Sequence, residues 1–134
     1  MTIYRAHSKD DLGTIHAWSC WADELETAEA YTDNPGFGGL LIRSTDVVGD
    51  VLDVNPESPS GLAELAEALG MDADDAQDAG DRWFSIGSRY PWEDSRELRQ
   101  LLEASAYNWL RYEDDYPEGA ITLMAIRAIQ IQAA

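Results

Sequence analysis

Short strand-like segments at both ends of this chain enclose a long helical middle, and this order limits the fold more than any other feature. In the middle, Leu62, Leu65 and Leu69 repeat at the spacing of a helix that buries one face. Gly70, which follows, is a residue suited to ending that helix. The segments typical of strands are residues 2–5, 40–44, 51–54, 120–126 and 129–132. Because clustered strands beside a block of helices are typical of the α+β class, we predict that class.

The first half of the chain gives three further local predictions. Residues 23–31 are expected to form a helix, because acidic residues open the segment and favour the positive end of a helix dipole. The strands at 40–44 and 51–54 lie close enough in sequence to pair as neighbours. Residues 71–81 are acidic and alanine-rich, and they are predicted as either a helix or a mobile loop.

The clearest helix of the chain is expected to open at Asp94, which together with Glu97 resembles a capping box. Its apolar face would carry Leu98, Leu101, Leu102, Ser105 and Trp109. After Leu110 the pattern becomes polar, so residues 111–119 are predicted as a segment around a turn.

The charge of the chain excludes one class of function. Of 134 residues, 9 are Lys or Arg and 26 are Asp or Glu, which gives a formal net charge of −17. Binding a nucleic-acid backbone or an anionic membrane requires clustered basic residues, so neither partner is expected. The acidity has ordinary explanations, because it favours solubility and because whole genomes can be salt-adapted or poor in lysine. The sharper alternative is a polyanion mimic that occupies the basic groove of a nucleic-acid-binding protein.

Chain length and cysteine content suggest the organisation and the compartment. A chain below about 150 residues is expected to form one domain, here residues 1–134. Cys20 is the only cysteine, so no internal disulfide can form, which fits a reducing compartment. The N-terminus lacks the pattern of a secretory signal, and no apolar run approaches the roughly 20 residues of a membrane span. We predict a cytoplasmic protein, located in the host cytoplasm if the gene is viral.

The potential metal ligands do not follow the pattern of a metal site. Counted from Asp72, the acidic segment places Gln77 and Trp83 where a calcium loop requires Gly and Glu. The remaining candidates are His7, His16 and Cys20. They are scattered without a close pair, so no metal site is predicted.

Two segments from opposite ends of the chain could share one chemical task. Arg5 ends the first predicted strand, where its forked N–H groups could hold a pyrophosphate or a ribose. Residues 112–115, Tyr-Glu-Asp-Asp, supply carboxylates just before a late strand. A carboxylate can hydrogen-bond a ribose hydroxyl and stabilise an oxocarbenium-like sugar as the leaving group departs. If the two segments lie in one site, they suit attack at the anomeric carbon of a nucleotide ribose. If they do not, the arginine belongs to a surface ion pair and the carboxylates belong to an acidic turn.

The order of these segments resembles that of ADP-ribosyltransferase-like domains over most of the chain. The first strand ends in Tyr-Arg-Ala-His at residues 4–7, and a Ser/aromatic segment at 18–22 leads into a helix that begins with acids. The strand pair LLIRSTDVVGDVLDV follows at residues 40–54. The chain is most similar to the small phage anti-CRISPR mono-ADP-ribosyltransferases, which share its size, its acidity and a terminal pattern of Tyr107 followed by Glu113 and Asp114.

The resemblance implies two small sheets that form a cleft with flanking helices, and it implies NAD as the donor. It implies Asp114 as the catalytic carboxylate, with Glu113, Asp115 and Glu118 as alternatives. The contacts to the cofactor would come from Arg5, Ser19 and Tyr31, with Trp21 as an alternative aromatic residue.

Two hypotheses of function follow. In the first, the protein is a mono-ADP-ribosyltransferase that uses NAD to modify a host protein, for example as a phage anti-CRISPR or other counter-defence protein. In the second, it is a non-enzymatic acidic inhibitor that binds the basic surface of a nucleic-acid-binding protein. Both hypotheses predict a protein partner with a basic surface, and neither predicts direct contact with nucleic acid or membrane.

Overall fold

A computed structural model of the chain describes residues 1–7, 14–15, 17–32, 41–115 and 118–130. The chain divides into two compact units, one formed by Met1–Val51 with Asn108–Ala134 and the other by Leu52–Tyr107. Chain length predicts a single domain, and this stays a prediction. The two units do not show whether either of them folds alone.

Strands dominate the first unit and helices dominate the second. The strands are β1 (Thr2–His7), β2 (Thr14–Ile15), β3 (Cys20–Ala22), β4 (Leu41–Asp46), β5 (Val51–Asp53), β6 (Trp109–Asp115), β7 (Glu118–Ala125) and β8 (Ile129–Gln130). The helices are α1 (Leu25–Thr32), α2 (Pro59–Ala68), α3 (Ala73–Ser85), α4 (Pro91–Asp94) and α5 (Arg96–Ala104). These five helices and the six-stranded sheet of the described residues confirm the predicted α+β class. All five predicted strand segments overlap a strand, although residues 40 and 131–132 lie outside the described part.

The six-stranded sheet has the order β4-β1-β3-β7-β6-β5, and β2 pairs with β8 in a separate two-stranded sheet. The prediction that the strands at 40–44 and 51–54 pair as neighbours is therefore wrong, because β4 and β5 occupy opposite edges. The residues that would close a hairpin between them bond elsewhere. Val47 donates its backbone N–H to the carbonyl of Met1, and the carbonyl of Asp50 accepts from the N–H groups of Asn108 and Trp109.

The short connection between β4 and β5 requires a curled sheet. In a flat sheet, the five spacings between the two edge strands would amount to about 24 Å. The five Cα–Cα steps from Asp46 to Val51 reach at most about 18 Å. The sheet is therefore not flat.

Apolar side chains from one face of this sheet form the core of the first unit. Ile3, Trp21, Trp109 and Leu123 pack with Ile15 of β2, and each is at most 3% exposed. Neighbouring residues of a strand point to opposite faces, so a core on one face leaves the alternate residues on the other.

Helices α2 and α3 of the second unit approach each other at a glycine. A Cβ atom on Gly80 would lie 2.6 Å from the carbonyl oxygen of Pro59, so a larger residue would force the helices apart. The side chains of Ser58 and Asp72 accept hydrogen bonds from backbone N–H groups three residues later and cap α2 and α3. The cap at Asp72 favours the helix over the mobile loop for residues 71–81. Among the described residues, no helix combines the length and apolar character that crossing a membrane requires.

Two predictions around the last helix are wrong. Helix α5 is capped by Ser95, whose Oγ accepts from the N–H of Leu98 at 3.1 Å, because Asp94 is already the last residue of α4. The helix ends at Ala104, since both the N–H and the hydroxyl of Ser105 bond to a carbonyl three residues back. Trp109 consequently lies on β6 and not on a helix face. Residues 111–115, which the sequence predicts as part of a polar segment around a turn, form the end of β6, and Asp115 pairs with Glu118 of β7.

Candidate functional site

The pairing register assigns each candidate side chain to one face of the sheet. Residues directly opposite each other in antiparallel strands point to the same face. Ala22 lies opposite both Tyr4 and Thr122, and Thr122 lies opposite Tyr112. These residues alternate along their strands with the core residues, so they occupy the other face, which we call the reverse face. The face that carries Ile3 and Trp21 is the core face.

Asp114 lies on the reverse face and contacts a polar side chain of the neighbouring strand. Its Oδ2 accepts a hydrogen bond from Oγ1 of Thr122 at 3.2 Å, and the carboxylate is partly buried. Tyr112, two residues earlier on β6, places its hydroxyl 3.7 Å from the Sγ of Cys20. Cys20, Tyr112, Asp114 and Thr122 form what we call the Asp114 cluster. It brings together residues from three adjacent strands, β3, β7 and β6.

The members of the Asp114 cluster differ in their exposure to solvent. Cys20 is exposed, Thr122 and Asp114 are intermediate, and Tyr112 is buried at 5% exposure. The cluster therefore combines a buried tyrosine with a carboxylate that solvent reaches in part. The hydrogen bond from Thr122 limits the rotation of the carboxylate.

Arg5 and Ser19 belong to the core face instead. Arg5 is two residues beyond Ile3 on β1, and its guanidinium NH1 donates to the carbonyl of Cys20 at 3.3 Å. The hydroxyl of Ser19 accepts from the indole N–H of Trp21 at 3.0 Å. The structure therefore brings these two predicted cofactor contacts to the same face. It does not bring either of them to the face of Asp114.

Glu113 and Arg5 both lie on the core face, but they lie on strands that are not neighbours. It lies opposite Ile121, and its strand β6 is separated from β1 by β3 and β7. Three strand spacings amount to about 14 Å along the sheet. Between the two strands lies the buried Trp21, 3% exposed, which acts as a core residue rather than as a surface for a ring to stack on.

The structure does not describe the side chains of three further candidates. Tyr31 lies on α1, and Asp115 and Glu118 lie at the facing ends of β6 and β7. Their side chains, like that of His7 and the whole of His16, lie outside the described part of the structure.

Sequence reasoning missed the contacts of three members of the Asp114 cluster, namely Thr122, Tyr112 and Cys20. A signal for two of them was present. Had residues 109–125 been taken as two strands joined at Pro117, the alternation of side chains would have placed Tyr112 and Asp114 on one face. The pairing of Thr122 with Tyr112 would then follow from a short hairpin. No comparable signal exists for Cys20, which comes from a strand far away in sequence.

The shifted pKa values belong to residues of the second unit, whereas the Asp114 cluster belongs to the first unit. The carboxylate of Asp72 is the main cause that raises the pKa of Asp75 above its ordinary value, with Asp78 and Asp74 adding to it. The pKa of Glu97 is lowered, chiefly by its hydrogen bond from Arg82. No group of three or more His, Cys, Asp or Glu residues within the described ranges is arranged to hold a metal ion.

Comparisons with protein-family models, with curated proteins and with solved structures found no match to this chain.

Proposed function

We propose that this protein is an NAD-dependent mono-ADP-ribosyltransferase with Asp114 as its catalytic carboxylate. The observation that carries the proposal is the hydrogen bond that holds Asp114 Oδ2 to Thr122 Oγ1 on the partly exposed reverse face. The cleft between two small sheets, which the resemblance implies, is part of the same proposal. The proposal also includes the target, which is a host protein with a basic surface, and the role, which is that of a phage counter-defence protein.

The chemistry of the donor fits an oriented carboxylate. Asp114 accepts a hydrogen bond from a hydroxyl of the nicotinamide ribose and, as an anion, stabilises the positive charge that develops on that ribose. The bond between the anomeric carbon and nicotinamide breaks, and nicotinamide leaves. A nucleophilic side chain of the target protein forms the new bond at that carbon and loses its proton to solvent. The enzyme contributes mainly position and charge, which suits a small site.

In this proposal Arg5 acts as a positioning residue. Its hydrogen bond to the carbonyl of Cys20 ties β1 to β3 at the residue whose thiol touches Tyr112. Arg5 thus supports the Asp114 cluster from the other face. The rival assignment takes Glu113 as the catalytic carboxylate, because Glu113 shares a face with Arg5 and Ser19.

Two adjacent substitutions separate these assignments. We expect Asp114→Asn to reduce transfer of label from NAD to protein in a host lysate by about 100-fold or more, as removal of one transition-state contact does. Glu113→Gln is the matched control and should retain activity, with circular dichroism showing that both variants fold. Loss of activity in Glu113→Gln alone would overturn the choice of Asp114. Absence of NAD binding and NAD consumption with every lysate fraction would overturn the enzymatic function itself.

A second candidate function, the acidic inhibitor, is favoured by the surface of α3. Asp74, Asp78 and Asp81 are exposed and share the side of the helix opposite its buried residues Ala76 and Trp83. At a rise of 1.5 Å per residue, their positions follow one another along the axis at about 6 and 4.5 Å. The raised pKa of the neighbouring Asp75 shows that carboxylates on this helix repel one another.

The acidic inhibitor makes its own experimental prediction. The protein is immobilised and used to capture basic nucleic-acid-binding proteins, and the association rate is measured at rising salt. If the acidic surface of α3 binds, association slows steeply with salt, and Asp74→Asn with Asp78→Asn and Asp81→Asn abolishes capture. The double variant Glu64→Gln with Glu67→Gln on α2 is the control and retains it. Capture that is insensitive to salt would rule out this function.

A further inference from the structure

The strand β4 forms an open edge of the six-stranded sheet. It pairs with β1 on one side, and in the part of the chain that the structure describes no strand pairs with it on the other. Its ladder to β1 runs from Leu41 to Asp46 without a bulge, and the strand contains neither proline nor lysine, which are common means of blocking an edge. The strand at the opposite edge, β5, is only three residues long. The edge at β4 is therefore the one that an added strand could extend.

The hydrogen bonds to β1 determine which backbone groups of β4 point outward. The N–H of Val47 donates to the carbonyl of Met1, and the register continues from this pair along β4 without a shift. Hydrogen-bonded pairs alternate with non-bonded pairs in antiparallel strands, so the backbone groups of Ile42, Ser44 and Asp46 point away from β1. Ser44 and Asp46 are exposed, so solvent reaches this side of the strand.

The charges near the open edge favour a basic partner. The side chain of Asp46 lies on the reverse face, and the helix α1, which packs against β1 and β4, carries the exposed residues Glu26 and Glu29. Arg43, the basic residue of β4, precedes Ser44 and therefore lies on the other face of the sheet from Asp46. A positively charged strand is attracted to this edge, whereas a second copy of the chain brings another net charge of −17 and is repelled.

We propose that β4 binds an extended, basic segment of a partner protein as an added strand of the sheet. The outward backbone groups of Ile42, Ser44 and Asp46 exchange hydrogen bonds with the segment, and these bonds supply affinity for any extended chain. A lysine or arginine of the segment opposite Asp46 supplies the preference for a basic sequence. The proposal depends on neither of the functions proposed above, because the edge includes neither Asp114 nor the acidic surface of α3.

The first experiment uses a fluorescein-labelled peptide of alternating lysine and valine. Paired with β4, this peptide can place its lysines on the face of Asp46 and its valines on the other face. Fluorescence anisotropy measures its binding to the whole protein at about 0.15 M salt, which screens contacts between distant exposed charges. The matched control is the same peptide with methylated backbone nitrogens, which keeps the charge and cannot donate to β4. We expect the control to bind about tenfold more weakly or worse, because the backbone bonds are lost.

Two substitutions at one position test the edge from the side of the protein. Ser44→Pro removes an outward N–H and places the proline ring in the path of the added strand, and proline is tolerated where the N–H of an edge strand faces solvent. We expect Ser44→Pro to weaken binding of the lysine–valine peptide by about tenfold or more, and Ser44→Ala to bind like the wild type. Asp46→Asn should weaken binding by about two- to fivefold, the loss of one exposed charge contact. Circular dichroism shows whether each variant folds.

Several results would overturn the proposal. They are equal binding of the methylated peptide, unchanged binding by a folded Ser44→Pro, and equal binding of a glutamate–valine peptide. A dimer of the free protein that Ser44→Pro abolishes would assign the edge to a second copy instead. If Ser44→Pro does not fold, the two lysine–valine peptides decide the question without it. The substitutions that test the proposed functions, at Asp114 and on α3, should leave peptide binding unchanged, so failure of those functions is distinguishable from failure of this proposal.

Discussion

Glu97 joins α5 to α3 within the second unit through a single carboxylate oxygen, and its removal tests how that unit is held together. Its Oε1 accepts from Arg82 NH2 at 2.7 Å and from the indole N–H of Trp83 at 2.9 Å. Trp83 is only 2% exposed, whereas the side chains of Glu97 and Arg82 are about half exposed. The two contacts therefore contribute differently to the stability of the unit, although they share one acceptor.

The magnitude follows from this difference in burial. A hydrogen bond to a charged group contributes about 1.5–3 kcal/mol when it is shielded, and partial exposure of Glu97 brings the expected loss for Glu97→Ala to about 1 kcal/mol. The exposed ion pair with Arg82 adds little, so Arg82→Ala should unfold close to the wild type. Urea unfolding measures both variants, and the midpoint should fall for Glu97→Ala with the slope unchanged. Equal losses in the two variants would show that the surface ion pair, rather than the indole contact, stabilises the unit.

The lowered pKa of Glu97 adds a pH dependence to the same prediction. A carboxyl group whose pKa is lower in the folded than in the unfolded state contributes stability above its ordinary value of 4.5. This contribution is lost as the pH falls through the lowered folded value. The stability difference between the wild type and Glu97→Gln should therefore be constant near neutral pH and shrink in acid. A difference that grows in acid would contradict the direction of the shift.

Three further substitutions test the packing, capping and electrostatics of α2 and α3. Gly80→Ala should destabilise by about 1–3 kcal/mol in urea, because its Cβ would clash with the carbonyl of Pro59, whereas the same change in an open helix stabilises. Ser58→Ala should cost about 1 kcal/mol in the same assay, since it removes the cap of α2. Asp75→Asn should raise the melting temperature at neutral pH. The raised pKa of Asp75 means that its charge opposes folding above that pKa, so the gain should vanish in acid, and a gain that persists there would exclude repulsion as its cause.

The elements that sequence reasoning predicted well are those whose signals are local. The apolar repeat at Leu62, Leu65 and Leu69 and the glycine after it lie within one helix, and α2 forms there. The errors of boundary are also local. Asp94 and Ser95 are both suitable caps, and only the structure shows that a turn of helix already uses Asp94. The strand β6 was missed because Arg, Glu and Asp at residues 111–115 are polar, and polar residues read as a turn.

The placement of the sheet edges could not be predicted, because it depends on pairings between residues far apart in sequence. Four residues between β4 and β5 suggest a hairpin, yet β4 pairs with β1 about forty residues earlier in the chain. The burial of Val47 and Val51 against the core around Trp109 stabilises this arrangement. Nothing near residues 40–54 indicates this longer ladder.

The relation between Arg5 and Asp114 depends on the same kind of information. Two residues on different strands share a face only if the pairings of all the strands between them align their side chains. Here these pairings are β1 with β3, β3 with β7, and β7 with β6. A shift of one residue in any of these pairings would move Asp114 to the face of Arg5. The observed pairings keep them apart, and two contacts on the reverse face, Cys20 with Tyr112 and Thr122 with Asp114, agree with that parity. Segment order alone predicts that an arginine and a carboxylate share one site. The register instead places Arg5 and Asp114 on opposite faces of the sheet.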